Sequence, residues 1–514
     1  MIKRISREGL DELAGGWNFS LDDTEAEQLG AVANELIELL DGLVTSPAAA
    51  PEVVPAIREA GERPPRDEDP LNAIVRRCRV VAREPGSELA GLRLAVKDSM
   101  AIAGIPLTLG SSVMEGFVPD VDAVIIDRLL RAGAELVAIT NMDYFAFSGG
   151  GDSSAYGPTL NPFDHSRTAA GSSDGTGAAL YYDGIDAGLG TDQGGSIRAP
   201  AAWCGVLGLK PTHSLVPYTG IAGIDATFDH AGPMTRTVTD MARMLDVIAG
   251  PDPSDPRQAG PVPVEAYLRA VEAAPEDLSG VRVGVVGEGF GEAVGAEPGV
   301  VEAVRGVAEQ LRELGADVHD VSVPEHEAAG AIAFAGFIEG MTALVSGGGN
   351  GYHWRGRYWP EIADALAAAV RERAHDLSPQ IKVALMLGLH LRREHAGSVY
   401  ARAQNARPDL TAAYDRALEG ADCLLMPTTP GVAHVYDPDM PIHDHLMRGW
   451  ALLANTSPTD MTGHPGLSMP AAEADGLPVG AMLIGRRFED ARLLAVARAF
   501  ERAYGWKPSA PAKV

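Results

Sequence analysis

The sequence predicts an α/β protein carrying a helical extension at its N-terminus. Three observations point there. From about residue 90 onward, short β-type runs alternate with amphipathic helical stretches. Residues 330 to 415 are mostly helical in pattern, and residues 20 to 44 form one long apolar-striped helix ahead of a proline-rich break.

Taken in order, "SLDDTEAEQLGAVANELIELLDGLV" opens on Ser20 as a candidate cap with an acidic first turn. It then places Leu29, Val32, Leu36, Leu39 and Leu43 at alternating spacings of three and four. Such a stripe either packs on its own domain or meets a second copy of the chain. "TSPAAAPEVVPAIREAGERPPRDEDP" is rich in proline and charge, so a linker is expected to end near Pro70, dividing an N-terminal α-helical unit (1–70) from the remainder (71–514). Beyond it, "LRLAVKDSM" and "AELVAIT" read as strands around the helical "DAVIIDRLLRAG". The same rhythm recurs in "VRVGVVGEG", "VVEAVRGVAEQLRELG" and "ADVHDVSV", and "ADCLLMPTTP" and "GLPVGAMLIG" supply later buried strands. No fixed-period repeat is present.

With 514 residues, 46% hydrophobic and 22% charged, the chain has a globular composition and enough length for more than one lobe. A net charge of −28 repels phosphate backbones and anionic lipid, which argues against nucleic acid or membrane as partners. Cys78, Cys204 and Cys423 are odd in number and widely spaced, fitting neither a disulfide framework nor a metal site. The N-terminus lacks the apolar core of a signal peptide, and no uninterrupted apolar run reaches roughly 18 residues. The expectation is a cytoplasmic protein.

Three motifs invite a function and fail on context. "VRVGVVGEGFGEAVG" resembles a dinucleotide loop at Gly287 and Gly289, yet the third required glycine falls on Glu292. His443 and His445 have no companion metal ligands and read as a solvated loop. Gly171 to Gly175 matches GxSxG centred on Ser173, but the polar "NPFDHSRTA" precedes it where a nucleophile elbow needs a buried strand.

A second glycine-rich stretch, "GLGTDQGGSIRAP", is more promising. Backbone N–H groups along Gln193, Gly194, Gly195 and Ser196 can converge into an anion-binding nest, giving Ser196 an oxyanion hole from its own loop. A plain structural turn would show the same spacing. A serine nucleophile needs a base, and a lysine kept neutral by burial can serve. Lys97 follows the apolar strand "LRLAV", although a lysine at a strand end more commonly faces solvent.

Together, "VKD" at Lys97, "GSS" at Gly171 to Ser173 and "GTDQGGSIRAPAAWCGVLGLKPT" resemble the amidase signature family, with Ser172 and Ser196 the 24 residues apart that the family's two catalytic serines show. "NPFD", "ADCLLMPTTP" and "TSPTDMTGHPGLSMPA" extend the likeness over roughly residues 70 to 505. Within the family, the helical extension, "GNGY" and "TDMTGHPGLSMP" look most like bacterial nitrile-pathway and enantioselective amidases. The resemblance implies an α/β amidase signature fold, with a large mixed central sheet covered by helices and a helical substrate-side region at about 330–415. It implies hydrolysis of small carboxylic amides (aryl or apolar acyl amides, anilides or carbamates) without metal or organic cofactor; a homodimer is expected from the apolar stripe of the N-terminal helix. By that likeness Ser196 is the nucleophile, Ser172 a relay in a cis peptide, and Lys97 the base. Gln193, Gly194, Gly195 and Ser196 bind the oxyanion, Ala146 lines the acyl pocket, and Ser173, Asp192 and Arg198 support the loops. The alternatives are the ammonia-generating component of an amidotransferase complex and a catalytically dead binding protein.

Where the family reads GGSSGGSA, this chain reads Ala170-Gly171-Ser172-Ser173-Asp174-Gly175-Thr176-Gly177; Ala170 for glycine is a mild change, and Asp174 is the departure with chemical consequence. Asp174 puts a carboxyl next to the relay, where its charge would favour protonated Lys97. The favoured reading turns Asp174 away as the cap of a helix starting at Gly175. Finally, Tyr352, His353, Trp354, Tyr358 and Trp359 are candidates for an aromatic pocket rim.

Overall fold

The computed structural model describes residues 2–45, 52–347, 355–508 and 511. It divides into two compact units, Met1–Glu52 and Val53–Val514. The division therefore falls well before Pro70. The segment expected as linker already contributes strand β1 (Ala56–Glu59), which pairs antiparallel with β2 (Ile74–Ala82).

The first unit contains helices Arg7–Gly16 and Asp23–Thr45. Ser6 caps the shorter helix by accepting from the Gly9 N–H at 3.1 Å. The longer one begins with a reciprocal pair: Asp22 accepts from the Glu25 N–H at 2.9 Å, and Glu25 accepts from the Asp22 N–H at 3.2 Å. Asp22 thus takes the role expected of Ser20, because its carboxylate stands three residues before a glutamate able to reach back. Asn34 ties the helix to the preceding chain through both Ile5 backbone groups, at 2.9 and 3.2 Å.

The second unit is built on one mixed sheet of 12 strands. After β1 and β2 come β3 (Arg93–Lys97), β4 (Glu135–Thr140), β5 (Ala187–Asp192), β6 (Leu207–Lys210), β7 (His230–Thr235) and β8 (Arg282–Val286). β9 (Asp317–Val321), β10 (Cys423–Pro427), β11 (Gly466–Ala474) and β12 (Leu477–Ile484) complete it, in the order β1-β2-β4-β3-β5-β7-β6-β11-β12-β10-β8-β9. β3 runs parallel to both β4 and β5, and β8 is parallel to β9 and β10, while the remaining pairs are antiparallel. Central strands such as β5, β7 and β12 are buried along their whole length, as strands covered on both faces must be.

Helices Glu325–Ser346, Pro360–Arg373, Pro379–His395 and Ser398–Glu419 fill the region expected to be helical. The first is long and apolar enough to cross a membrane by length and composition, although Glu339 interrupts its apolar run. It buries Ala329, Ala333, Phe337, Met341 and Leu344 within the protein. "VRVGVVGEG" becomes β8 and a tight 3-10 turn, where the Gly289 carbonyl accepts from Asn455 Nδ2 at 2.9 Å.

Candidate active site

The sheet order explains how three distant segments meet. Because β3 lies between β4 and β5, the end of β3 places Lys97 beside Thr191, the penultimate residue of β5. Lys97 is 0% exposed, and its Nζ donates to Ser172 Oγ at 2.8 Å and to Thr191 Oγ1 at 2.9 Å. Burial lowers the Lys97 ammonium from its ordinary value to about 7, opposed by the carboxyls of Asp174, Asp143 and Asp192. Lys97 is therefore an interior residue whose ammonium gives up its proton far more readily than a solvated lysine does.

Ser172 and Ser173 close the loop that enters helix Asp174–Ala179, and the Gly171–Ser172 peptide is cis. A Cβ on Gly171 would overlap Asp143 Oδ2, so only glycine fits there. Ser173 joins this loop to the next: its N–H donates to the Ser196 carbonyl at 3.1 Å and its Oγ to the Thr191 carbonyl at 3.3 Å. Ser173 is thus fully buried in a connecting role, and the loop with Ser196 is tied directly behind that with Ser172.

Ser196 sits in the turn between β5 and helix Arg198–Cys204 and is 2% exposed. Asp192 organises that turn. Its carboxylate accepts from Gly195 N–H at 2.6 Å and Ile197 N–H at 3.1 Å, and it pairs with Arg198 through two contacts of 2.9 Å. Burial alone would raise this carboxyl, but the Arg198 guanidinium overrides it and holds Asp192 at about 2. Arg198 reaches on to Asp460 Oδ2 at 2.7 Å and Thr459 Oγ1 at 2.5 Å, anchoring the turn to helix Ser457–Thr462. Thr456 Oγ1 adds a bond to the Gly194 carbonyl at 2.5 Å.

One expected oxyanion donor is excluded by this arrangement. The Gly195 N–H points at Asp192 and is consumed inside the loop. Among the described residues, nothing accepts from the N–H of Gly194 or of Ser196. Gly195 instead supplies the left-handed backbone, φ 142°, that turns the chain toward Ser196.

The carboxyl of Asp174 does not cap its helix. Ser173 is the cap residue and no side-chain cap bond forms. Asp174 lies in the first turn, 0% exposed, with Oδ1 accepting from the Asp143 N–H at 3.1 Å and Oδ2 2.5 Å from Thr159 Oγ1. Nothing in the local sequence reveals this, since both partners come from segments far along the chain. Thr191, Asp143 and Thr159 are likewise site residues that sequence reasoning missed; a threonine at the end of the strand leading to Ser196 is the one readable signal.

Ala146 belongs to a short 3-10 turn with φ 57°, donates its N–H to the Asp143 carbonyl at 2.9 Å, and is not among the residues lining the cavity between the 218–229 loop and Asp255–Arg257. His443 and His445 lie in helix Ile442–Ala451 rather than a loop. His443 is exposed, but His445 Nε2 shares a 2.8 Å hydrogen bond with Asp152 Oδ1, and that contact raises its proton affinity.

A cavity of about 780 Å³ opens among the 218–229 loop, Asp255–Arg257 and the helices that follow residue 325. None of Lys97, Ser172 or Ser196 lines it, yet its wall reaches the turn that carries Ser196, since Gln193 Nε2 donates to Tyr218 OH at 2.8 Å. Ile221, Ile224, Leu344 and Trp359 give the wall apolar surface, while Asp229, Glu339, Arg257, Arg357 and Arg392 give it charge. Of the aromatic candidates, Trp359 lines this cavity and Tyr358 does not; Tyr352, His353 and Trp354 lie outside the described residues.

The amidase family profile matches residues 73–494. The chain belongs to the amidase family. It is 40% identical over 432 residues to an enantioselective amidase of Rhodococcus rhodochrous, covering 83% of this chain and 82% of that one. It is 37% identical over 440 residues to a glutamyl-tRNA(Gln) amidotransferase subunit of Anaeromyxobacter dehalogenans, covering 84% and 87%. Among solved structures, the native peptide amidase of Stenotrophomonas maltophilia aligns with a TM-score of 0.67 and 29% identity over 83% of this chain and 85% of that one. The corresponding glutamyl-tRNA(Gln) amidotransferase subunit of Thermotoga maritima gives a TM-score of 0.71 and 28% identity over 87% and 92%. The large mixed sheet with its covering helices is the fold of this amidase family, and the chain is an amide hydrolase.

Proposed function

We propose that this amidase cleaves small carboxylic amides through an acyl-enzyme on Ser196, with Ser172 relaying protons to and from Lys97. The observation that carries the reading is the 2.8 Å contact between buried Lys97 Nζ and Ser172 Oγ, next to a loop bonded to the Ser196 carbonyl. Neutral Lys97 accepts the Ser172 proton while Ser172 takes that of Ser196, whose Oγ bonds to the amide carbon. The resulting oxyanion accepts N–H bonds from Gln193, Gly194 and Ser196, the nest left once Gly195 is bound to Asp192. Collapse breaks the C–N bond as the proton returns from Lys97 through Ser172 to the leaving nitrogen. Water attacks the ester by the same route, releasing the carboxylic acid and free Ser196.

The mixed wall of the neighbouring cavity favours amides that join an apolar body to a polar or charged group. The chain acts by itself on such amides, in the cytoplasm, as a homodimer. Three cysteines without disulfide partners fit a reducing compartment. The charge of −28 disfavours nucleic-acid and membrane partners. Turnover of aliphatic, aryl and polar amides by the isolated chain tests the reading. Ser172→Ala is expected to lose about 10²- to 10⁴-fold in kcat/KM across the panel. Turnover that requires a second protein would instead favour a role within an amidotransferase complex.

The dimer rests on helix Asp23–Thr45. Its apolar row remains in solvent, with Leu29 52%, Val32 54%, Leu36 53%, Leu39 73% and Leu43 75% exposed, and spacings of three and four are the seam of paired helices. Glutamate at both Leu36 and Leu39 is expected to raise the dimer dissociation constant by about 10²-fold or more, seen as monomer by sedimentation, with kcat unchanged. An unaltered sedimentation coefficient would remove this seam from the interface.

A further inference from the structure

We propose that Asp174 is the protonated member of a buried carboxyl pair with Asp143, a positioning residue that donates its O–H to Thr159 and leaves Lys97 facing one negative charge, on Asp143. The inference rests on the reading of Lys97 as base.

The two carboxyls belong to residues locked together, since Asp174 Oδ1 accepts from the Asp143 N–H. Both are 0% exposed, and among the described residues neither forms an ion pair. Burial and their mutual repulsion disfavour ionising both. Their donors decide which one does. Asp143 accepts from three backbone N–H groups, of Gly151 at 3.0 Å, Asp152 at 3.1 Å and Ser153 at 2.9 Å, and from Ser153 Oγ at 2.6 Å. Asp174 has one backbone N–H and the Thr159 hydroxyl.

Burial first and Asp152 second raise Asp143 as well, but its four donors oppose that rise, whereas burial first and Asp143 second push Asp174, with fewer donors, well above the usual carboxylate range. Thr159 accommodates an incoming proton without loss. It receives the Asp174 O–H and turns its own hydrogen to the Asn72 carbonyl at 3.2 Å.

The helix carrying Asp174 packs on β3, β4, β5 and helix Arg198–Cys204. From these elements the facing titratable groups are Lys97, Asp143 just beyond β4, Asp192 and Cys204. Asp192 is matched by Arg198, and Asp152, which faces Asp143, is matched by His445 and Arg448. The unmatched charge beside Lys97 is accordingly that of the Asp143 and Asp174 pair. Holding a proton on Asp174 halves it, which is how a base near neutrality tolerates an acidic residue two positions from its relay.

Asn at 174 copies the protonated acid, with Oδ1 for the Asp143 N–H and Nδ2–H for Thr159. Asp174→Asn is therefore expected to keep the acid limb of the pH profile of kcat/KM where it lies in wild type. The infrared difference spectrum against wild type at pH 7 is expected to show loss of one protonated-carboxyl stretch. A pair ionised at both carboxyls predicts no such band and, on substitution, an acid limb displaced to lower pH by about one unit or more, and a proton on Asp143 instead predicts that Asp143→Asn, and not Asp174→Asn, removes the wild-type band; any of these results overturns the proposal. Should the Asn variant not fold, Asp174→Gly gives the same infrared comparison. Failure of the base reading is separately visible, as activity retained in Lys97→Ala.

Discussion

Ser196→Ala is expected to lower kcat/KM by about 10³-fold or more on every amide the wild type cleaves, with the fold intact. The magnitude follows from what is removed. Ser196 carries the hydroxyl at the end of the Gln-Gly-Gly-Ser turn, the neighbouring Thr456 hydroxyl is held by the Gly194 carbonyl, and the turn's framework of Asp192, Arg198 and Asp460 does not depend on the Ser196 side chain. Ser173, the other serine of the GxSxG-like run, does not substitute. Its Oγ is held by the Thr191 carbonyl and its N–H by the Ser196 carbonyl. Circular dichroism unchanged beside lost turnover would check the prediction, whereas substantial residual turnover would remove Ser196 from the mechanism.

The second large effect is at the base. Lys97→Ala is expected to cost about 10²- to 10⁴-fold in kcat/KM at pH 8. Lys97→Arg should be as poor at every pH, because a guanidinium does not give up its proton. The pH dependence carries the sign. Only neutral Lys97 accepts the Ser172 proton, and burial brings its ammonium down to about 7. Wild-type kcat/KM is thus expected to rise through about pH 7 and level off above it. An acid limb near pH 4 in wild type would show that a carboxylate, and not Lys97, is the titrating base.

Much of this site was legible in the sequence because its segments are short and contiguous. The lysine after an apolar strand, the serine pair and the Gln-Gly-Gly-Ser turn each announce themselves locally, and the 24-residue interval between Ser172 and Ser196 links two of them. The alternation of strands and helices likewise gave the fold class, since each element's periodicity is its own property. What escaped depends on long-range pairing. Thr191 reaches Lys97 only because β3 inserts between β4 and β5.

Asp174 illustrates the same point from the other side. Its position at a helix start invites a capping role, but Thr159 and the Asp143 N–H, unseen in the local sequence, claim its two oxygens. Gly195 fails as an oxyanion donor for a related reason. A side chain three residues earlier, Asp192, reaches back to take its N–H. Ser20 lost its capping role to Asp22, which alone has Glu25 at the spacing of a reciprocal pair. The first unit ends at Glu52 because β1 is recruited by β2, a contact that the proline-rich composition around it conceals.

The central claim is that Ser196 is the residue that becomes acylated. Treating the wild-type chain with a fluorophosphonate and mapping the modified peptide by mass spectrometry tests it most directly. One adduct on Ser196, absent from Ser196→Ala and slowed in Lys97→Ala, is the predicted result. An adduct on Ser173 or elsewhere, or amide hydrolysis that survives with Ser196 blocked, would contradict it.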